Sequence, residues 1–155
     1  MSVRELQKDD FYKGYMDILI PFVGNNGTKF TNYKEFCDCF DQVMHQDCKI
    51  FVIEHMGCVI GTATAIIEHK FHHPCMGHIE DVAILSDYQN KGYGKKLVEY
   101  AKHYCIERNC YKIVLSCREE LEPFYKINGF NHNGNCMVFY NNDAFPLLFC
   151  KKTII

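Results

Sequence analysis

The sequence predicts an α/β chain of the α+β kind, a mixed and mostly antiparallel sheet flanked by helices. Two segments of strand character, on either side of Met56-Gly57, read as a hairpin, and a third follows them. A long amphipathic segment then separates two further apolar runs, as a β-α-β crossover does. Of its 155 residues, 48% are apolar and 23% charged, which suits one buried core and argues against a disordered chain.

Taken in order, Val3 to Leu6 reads as a first strand, and Asp9 or Asp10 as the cap of a helix running to about Leu19 and stopped by Pro21. Val23-Gly24-Asn25-Asn26-Gly27 is a loop. Asn32-Tyr33-Lys34-Glu35 has the form of a capping box, and Phe36, Cys39, Phe40 and Val43 follow at helical spacing. Lys49 to His55 and Val59 to Glu68 are the hairpin strands. After a polar loop from His69 to Pro74, His78 to Leu85 is the next strand. Leu97, Val98, Ala101 and Cys105 form one stripe of a helix from Gly94 to Arg108. Tyr111 to Cys117 is a buried strand. Pro123 suits the first turn of a short helix that Gly129 closes, and Cys136 to Tyr140 is a last strand. Residues 1–155 make a single domain, with 141–155 as an extra apolar tail that docks on its own domain or on a partner.

Formal net charge is −2, so no global field draws nucleic acid or anionic lipid. No apolar run has the length of a membrane span, and the first residues lack a secretory h-region. The ten cysteines include no CxxC pair, which favours reduced thiols in a cytoplasmic protein over a disulfide scaffold. Cys105, Cys110 and Cys117 read as small hydrophobes inside apolar stretches. The histidines from His69 to His78 are interrupted by Pro74 and Gly77 and complete no metal site.

The sharpest local feature is Gln89-Asn90-Lys91-Gly92-Tyr93-Gly94, between a strand and a helix. Unpaired N–H groups of a helix's first turn, with the dipole behind them, favour an anion there. Glycines let a phosphate approach the backbone, and Lys91, Lys95 and Lys96 add local positive charge. The dinucleotide motif is incomplete, with Leu97 where a third glycine belongs, and no GxxxxGK[ST] is present.

That turn, together with Pro123-Phe124-Tyr125-Lys126-x-x-Gly129-Phe130, resembles the GNAT acyltransferases. Within that superfamily, Ile67-Glu68-His69-Lys70, Gly77-His78-Ile79-Glu80-Asp81-Val82-Ala83 and Cys110-Tyr111-Lys112-Ile113 are similar to the eukaryotic glucosamine 6-phosphate N-acetyltransferases. The resemblance covers roughly residues 48 to 140. It implies the GNAT fold, acetyl-CoA as co-substrate, a sugar phosphate as acceptor, no metal, and a homodimer with no nucleic-acid partner and no integral membrane segment.

By that resemblance, Gln89, Asn90, Lys91, Gly92, Tyr93 and Gly94 hold the pyrophosphate. Val82, Ala83 and Ile84 pair with the pantetheine arm like an added strand. Tyr125 meets the coenzyme sulfur and protonates the departing thiolate. Glu80 and Asp81, adjacent on a strand and so expected on opposite faces, act at the sugar and its amine, with Val82 beside them. Lys70, Phe71, His72 and His73 form the loop that meets the sugar phosphate. Four departures stand out: Ser116 in place of an acidic residue, Leu121 in place of an asparagine, Tyr140 in place of an arginine toward the phosphate, and Pro21-Phe22 in place of a threonine-rich approach.

A sugar amine with a pKa near 8 is about a quarter neutral at pH 7.5, so a weak base suffices and the amine attacks the thioester directly. Two other readings stand beside this one. A GNAT enzyme acting on a peptide or lysine amine would favour an acidic acceptor groove, and a non-catalytic acetyl-CoA-binding module would have no use for Tyr125 or the strand acids.

Overall fold

The computed structural model describes residues 2–23, 32–44 and 47–137. Among these residues five strands lie in chain order across one sheet: β1 Val3–Glu5, β2 Cys48–His55, β3 Cys58–His69, β4 Cys75–Ile84 and β5 Ile113–Val114. β1 to β4 are antiparallel, and β5 alone is parallel to its neighbour β4. The helices are α1 Tyr15–Ile18, α2 Ile20–Val23, α3 Tyr33–Met44, α4 Tyr93–Glu107 and α5 Glu122–Ile127. The mixed sheet flanked by helices is the one the sequence predicts.

The hairpin forms where expected. Met56 (φ 50°) and Gly57 (φ 82°) are both left-handed, as a two-residue turn matched to the strand twist requires. α4 lays Leu97, Ala101, Tyr104 and Cys105 on one face of the sheet, against Phe51, Ile53, Ala63, Ala65, Ile67 and Ile79. The opposite face packs Val52, Val59 and Ala83 against Leu6, Tyr15, Ile18 and Phe36. The Oδ1 of Asn32 accepts from the Glu35 N–H at 2.9 Å, so the expected cap of α3 is made.

Several expectations need correction. The single first helix is instead a 3₁₀ turn from Lys8 to Lys13 followed by the short α1 and α2, because Gly14 (φ 83°) turns the chain left-handed between them. Pro21 does not stop it; it sits in the first turn of α2, where no N–H is needed. β4 begins at Cys75, so the polar loop shrinks to residues 70–74. The buried strand over 111–117 reduces to Ile113–Val114, both half-buried, because β4 pairs with it only at Gly77 and His78. Cys105 is a core residue as expected and Cys110 is half-buried, but Cys117 is exposed. Of the expected last strand, Cys136 and Met137 are irregular, and 138–140 lie outside the described residues, as do 24–27 of the first loop and the tail 141–155.

Neither Asp9 nor Asp10 is the N-cap. Asp10 is fully buried and accepts from both guanidinium nitrogens of Arg4, each at 2.7 Å, and from the Gln7 N–H at 2.8 Å. Arg4 also holds Glu54 on β2, and Lys13 reaches Glu54 at 3.0 Å, so one ionic cluster ties the N-terminal turn to the sheet. Although burial opposes it, the Arg4 hydrogen bonds and the Gln7 N–H bring the Asp10 pKa below its ordinary value.

Breaking that pair by Arg4→Met leaves a buried carboxylate with Lys13 alone and should remove about 3 kcal/mol at pH 7, read by urea unfolding. A carboxylate with a lowered folded pKa contributes its stability above the unfolded value near 3.9 and loses it as pH falls through the folded value. The gap between the two proteins should therefore narrow below about pH 4.

Candidate active site

β4 changes phase in its middle. Thr64 lies opposite Glu80 and Thr62 opposite Ala83, three residues against two, so one extra residue is inserted on β4. Asp81, with φ 51°, occupies the bulge. Ile79 consequently packs in the α4 core while Ala83, four residues on, packs in the opposite one. Plain alternation would have left these two on the same face. Glu80 and Asp81 therefore do not point to opposite faces as the sequence predicts; both border the same cleft.

The cleft opens because β4 and β5 part. Gly77 donates to Lys112 O at 3.0 Å and Tyr111 to Cys75 O at 3.1 Å. Past His78 and Val114, no further β4–β5 pairing occurs among the described residues. The edge of β4 from Ile79 onward is left without a ladder partner on that side. Between the splayed strands is a cleft of about 200 Å³, lined by Ile79, Glu80, Asp81 and Val82 on one wall and Ser116, Cys117 and Arg118 on the other. Leu121 and Tyr125 complete it from the segment that ends in α5.

The electrostatics follow from this crowding. Burial raises the pKa of Glu80, and the neighbouring Asp81 charge raises it further. Burial also raises Asp81, against a hydrogen bond from Thr64 Oγ1 at 3.5 Å. Both carboxylates remain open to the cleft, so these are partly desolvated rather than sealed groups. Tyr125 is buried, its ring edge-on to Phe124 and Phe130. Burial pushes its pKa up to about 12, with Cys117 and Glu80 adding to the effect. The Cys117 thiol is also held above its ordinary value, by burial and then by Glu122 and Glu120, which makes it a poor nucleophile.

The glycine turn lies at the far end of β4. Gly92 (φ 81°) is the N-cap of the 15-residue α4, and no side chain caps it. A Cβ built there would meet nothing within 4 Å, so the space above this helix start is open, as an anion cradle requires. The Gln89 side chain donates to Ile84 O at 3.0 Å and pins the turn to the end of β4. Lys91 caps Asp87 O at 2.7 Å and lies over the Tyr88 ring. At Gly94 packing adds a second demand for glycine: a Cβ would sit 3.3 Å from the Phe124 ring, so α5 against α4 crowds a side chain there.

The structure thus brings Glu80, Asp81, Val82 and Tyr125 together, with Ala83, Ile84 and the turn from Gln89 to Gly94 continuing the same edge. It does not bring in the loop of Lys70, Phe71, His72 and His73. None of these lines the cleft, and Lys70 is held by Glu68, which also accepts from His78 at 2.9 Å. His73 instead stacks on Tyr111, ring centres 4.4 Å apart, and Phe71 is fully exposed. Arg118 and Cys117 were not expected in the cleft. No local sequence motif marks Arg118, because the wall it stands on exists only where β4 and β5 part. Among the described residues, no group of three or more His, Cys, Asp or Glu is arranged to hold a metal ion.

Comparison with known proteins agrees with this fold. Residues 2–130 match the model of the acetyltransferase (GNAT) family. The chain is similar to a glucosamine 6-phosphate N-acetyltransferase of Dictyostelium discoideum, 32% identical over 90% of both chains. It is also similar to one of Arabidopsis thaliana, 33% identical over 90% of this chain and 95% of that one. The crystal structure of a glucosamine-6-phosphate N-acetyltransferase from Arabidopsis thaliana superposes with a TM-score of 0.84, at 32% identity over 90% of this chain and 97% of that one. An acetyltransferase of Trypanosoma brucei gives 0.82 at 25% identity over 90% and 98%.

The acidic pair predicts a titration. Glu80 should ionise above the ordinary glutamate range, and Asp81→Asn, which keeps the shape and tolerates the left-handed φ, should bring it down. Carboxyl-carbon NMR titration reads both. A Glu80 pKa indifferent to Asp81→Asn would mean the two charges do not share the cleft.

Proposed function

From the premise that this chain belongs to the acetyltransferase (GNAT) family, we propose that it transfers the acetyl group of acetyl-CoA to the amine of glucosamine 6-phosphate. The observation that carries the reading is the shared cleft: two carboxylates brought to one side by the Asp81 bulge, facing Tyr125, on the strand edge that leads to the open glycine turn. Relatives above 30% identity along nine-tenths of the chain bear the name of that reaction.

Acetyl-CoA supplies the acetyl group as an activated thioester. The turn from Gln89 through Asn90, Lys91, Gly92 and Tyr93 to Gly94 would hold its pyrophosphate at the start of α4. The unpaired edge of Val82, Ala83 and Ile84 would take its pantetheine arm, leaving backbone N–H groups for the oxygen that becomes negative. Glu80 and Asp81 orient the sugar and its amine and receive, directly or through water, the proton the amine gives up as the new N–C bond forms. The C–S bond breaks in the same sequence, and the sulfur ends with a proton.

Tyr125 acts at that sulfur. With its pKa near 12 against about 8.5 for a thiol, full transfer of its proton is uphill by about 5 kcal/mol. An unshifted tyrosine would face only about 2 kcal/mol. Burial therefore makes Tyr125 foremost a hydrogen-bond donor to developing negative charge, in a site where few waters compete. The proton released by the amine balances the one the thiol finally carries.

Lys70, Phe71, His72 and His73 remain in this reading through a homodimer. They are absent from their own cleft, so they would meet the acceptor bound by a second copy. No helix among the described residues is long and apolar enough to cross a membrane. The ten cysteines without a CxxC pair support a place in the reducing cytoplasm.

The acceptor is tested by thiol release from acetyl-CoA with glucosamine 6-phosphate, glucosamine or a panel of peptides. The phosphorylated sugar should be preferred over glucosamine by about 10²-fold in kcat/KM, within reach of one or two charge-assisted hydrogen bonds. The same preparation should sediment as a dimer. Turnover of peptides alone would move the acceptor to a protein amine, and thiol release with no acceptor dependence would remove the transferase reading.

Tyr125→Phe should lower kcat by about 10²–10⁴-fold while both KM values stay within a few-fold, since the lost interaction belongs to the transition state. Because the tyrosine stays protonated to about pH 12, wild-type kcat should show no alkaline fall from this group below about pH 10. A variant that keeps full turnover when chemistry limits the rate takes Tyr125 out of the mechanism.

A further inference from the structure

We propose that Arg118 reads the phosphate of the acceptor, an assignment that rests on glucosamine 6-phosphate being that acceptor. Among the described residues lining the cleft, Arg118 is the one cation. The cleft is polarised across its width: Glu80 and Asp81 stand on the β4 wall, and Arg118 on the wall past β5. Glucosamine 6-phosphate carries its amine and its phosphate on opposite sides of the ring. Seated with the amine at the carboxylates, it turns the phosphate away from the charges that would repel it and toward Arg118.

The sequence favours Lys70 for this part, and within its own chain the geometry does not. Lys70 is engaged by Glu68 and lies beyond Cys75, five residues up the strand from Glu80, or about 17 Å at the usual rise of a strand. Arg118 is differently placed. Its partner is Glu120, Nη1 to Oε1 at 3.1 Å, in a pair whose side chains are 42% and 61% exposed. Such a pair is solvated and readily exchanged. The planar guanidinium offers two parallel N–H groups to phosphate oxygens while others still reach Glu120, a geometry an ammonium lacks.

The experiment compares kcat/KM for glucosamine 6-phosphate with that for glucosamine in wild type, Arg118→Ala, Arg118→Lys and Lys70→Ala. Arg118→Ala should cut the ratio by about tenfold or more, through a raised KM for the phosphorylated sugar, and Arg118→Lys should recover part of it. As Arg118 is a surface side chain, thermal unfolding should match wild type. A ratio unchanged in Arg118→Ala overturns the proposal, as does a loss of kcat equal for both sugars. A ratio that falls in Lys70→Ala and not in Arg118→Ala overturns it too and hands the phosphate to the 70–74 loop, its own or a second copy's. Wild type that acetylates both sugars equally, or neither, defeats the acceptor assignment itself, and that is seen before any variant is made.

Discussion

The site depends on one inserted residue. Without the bulge at Asp81, β4 would alternate regularly, and one of its two acids would be driven into the apolar layer beneath α4. The bulge shifts the phase by one residue, so Glu80 and Asp81 both border the cleft while Ile79 and Ala83 each fill a separate core. The left-handed φ at Asp81 is one an aspartate tolerates better than a β-branched residue would. Thr64, directly opposite Glu80, gives Asp81 a hydrogen bond across the irregular step. The departure from regular sheet is thus sustained from the neighbouring strand rather than by the residue itself.

The parting of β4 and β5 is the second half of the construction. Gly77 sets where the two strands still touch: a Cβ there would lie 2.7 Å from the Cys105 sulfur, so glycine lets α4 close onto the sheet at this point. One residue later the ladder ends and the cleft begins. The same helix, α4, starts at the glycine turn and packs beneath β3 and β4, so anion cradle, open strand edge and acidic pair share one support. Gln89 links the turn directly to Ile84 at the end of β4. A donor held along this edge would run from the turn toward the acids and Tyr125, in the order the reaction needs.

What could be read from the residues alone was whatever is decided locally. The Met56-Gly57 hairpin, the Asn32 cap, the apolar stripe of α4 and the glycine turn each announce themselves within a few positions, and each forms as expected. Where the outcome depends on a distant partner, the reading failed. Asp10 looks like a helix cap, but Arg4, which it shares with Glu54, claims it for a buried cluster. The two acids of β4 look like opposite-facing neighbours because the extra residue is defined only by pairing with Thr62 and Thr64. Residues 111–117 look like a buried strand, and β5 is short because its neighbour leaves it after two pairs. Arg118 was missed for the same reason, since a cleft created by divergence has no local motif.

In the proposed reaction, the burial of Tyr125 would divide the chemical work. A tyrosine exposed at the cleft mouth would keep a pKa near 10 and be the stronger acid, but water would then compete for the departing sulfur. Sunk beneath the cleft between Phe124 and Phe130, it becomes the weaker acid and the better-placed donor. The demand for a proton source is correspondingly small, because an amine already partly neutral at pH 7.5 releases one in the same reaction. The raised pKa values of Glu80 and Asp81 fit that economy. Carboxylates made more basic by burial and mutual repulsion accept the amine's proton more readily than exposed ones would, while Arg118 on the far wall leaves their charge unquenched. The same partial desolvation that weakens Tyr125 as an acid strengthens the acids as bases, so in the proposed reaction proton uptake at the amine and charge stabilisation at the sulfur would come from one cleft, shared by β4 and α5.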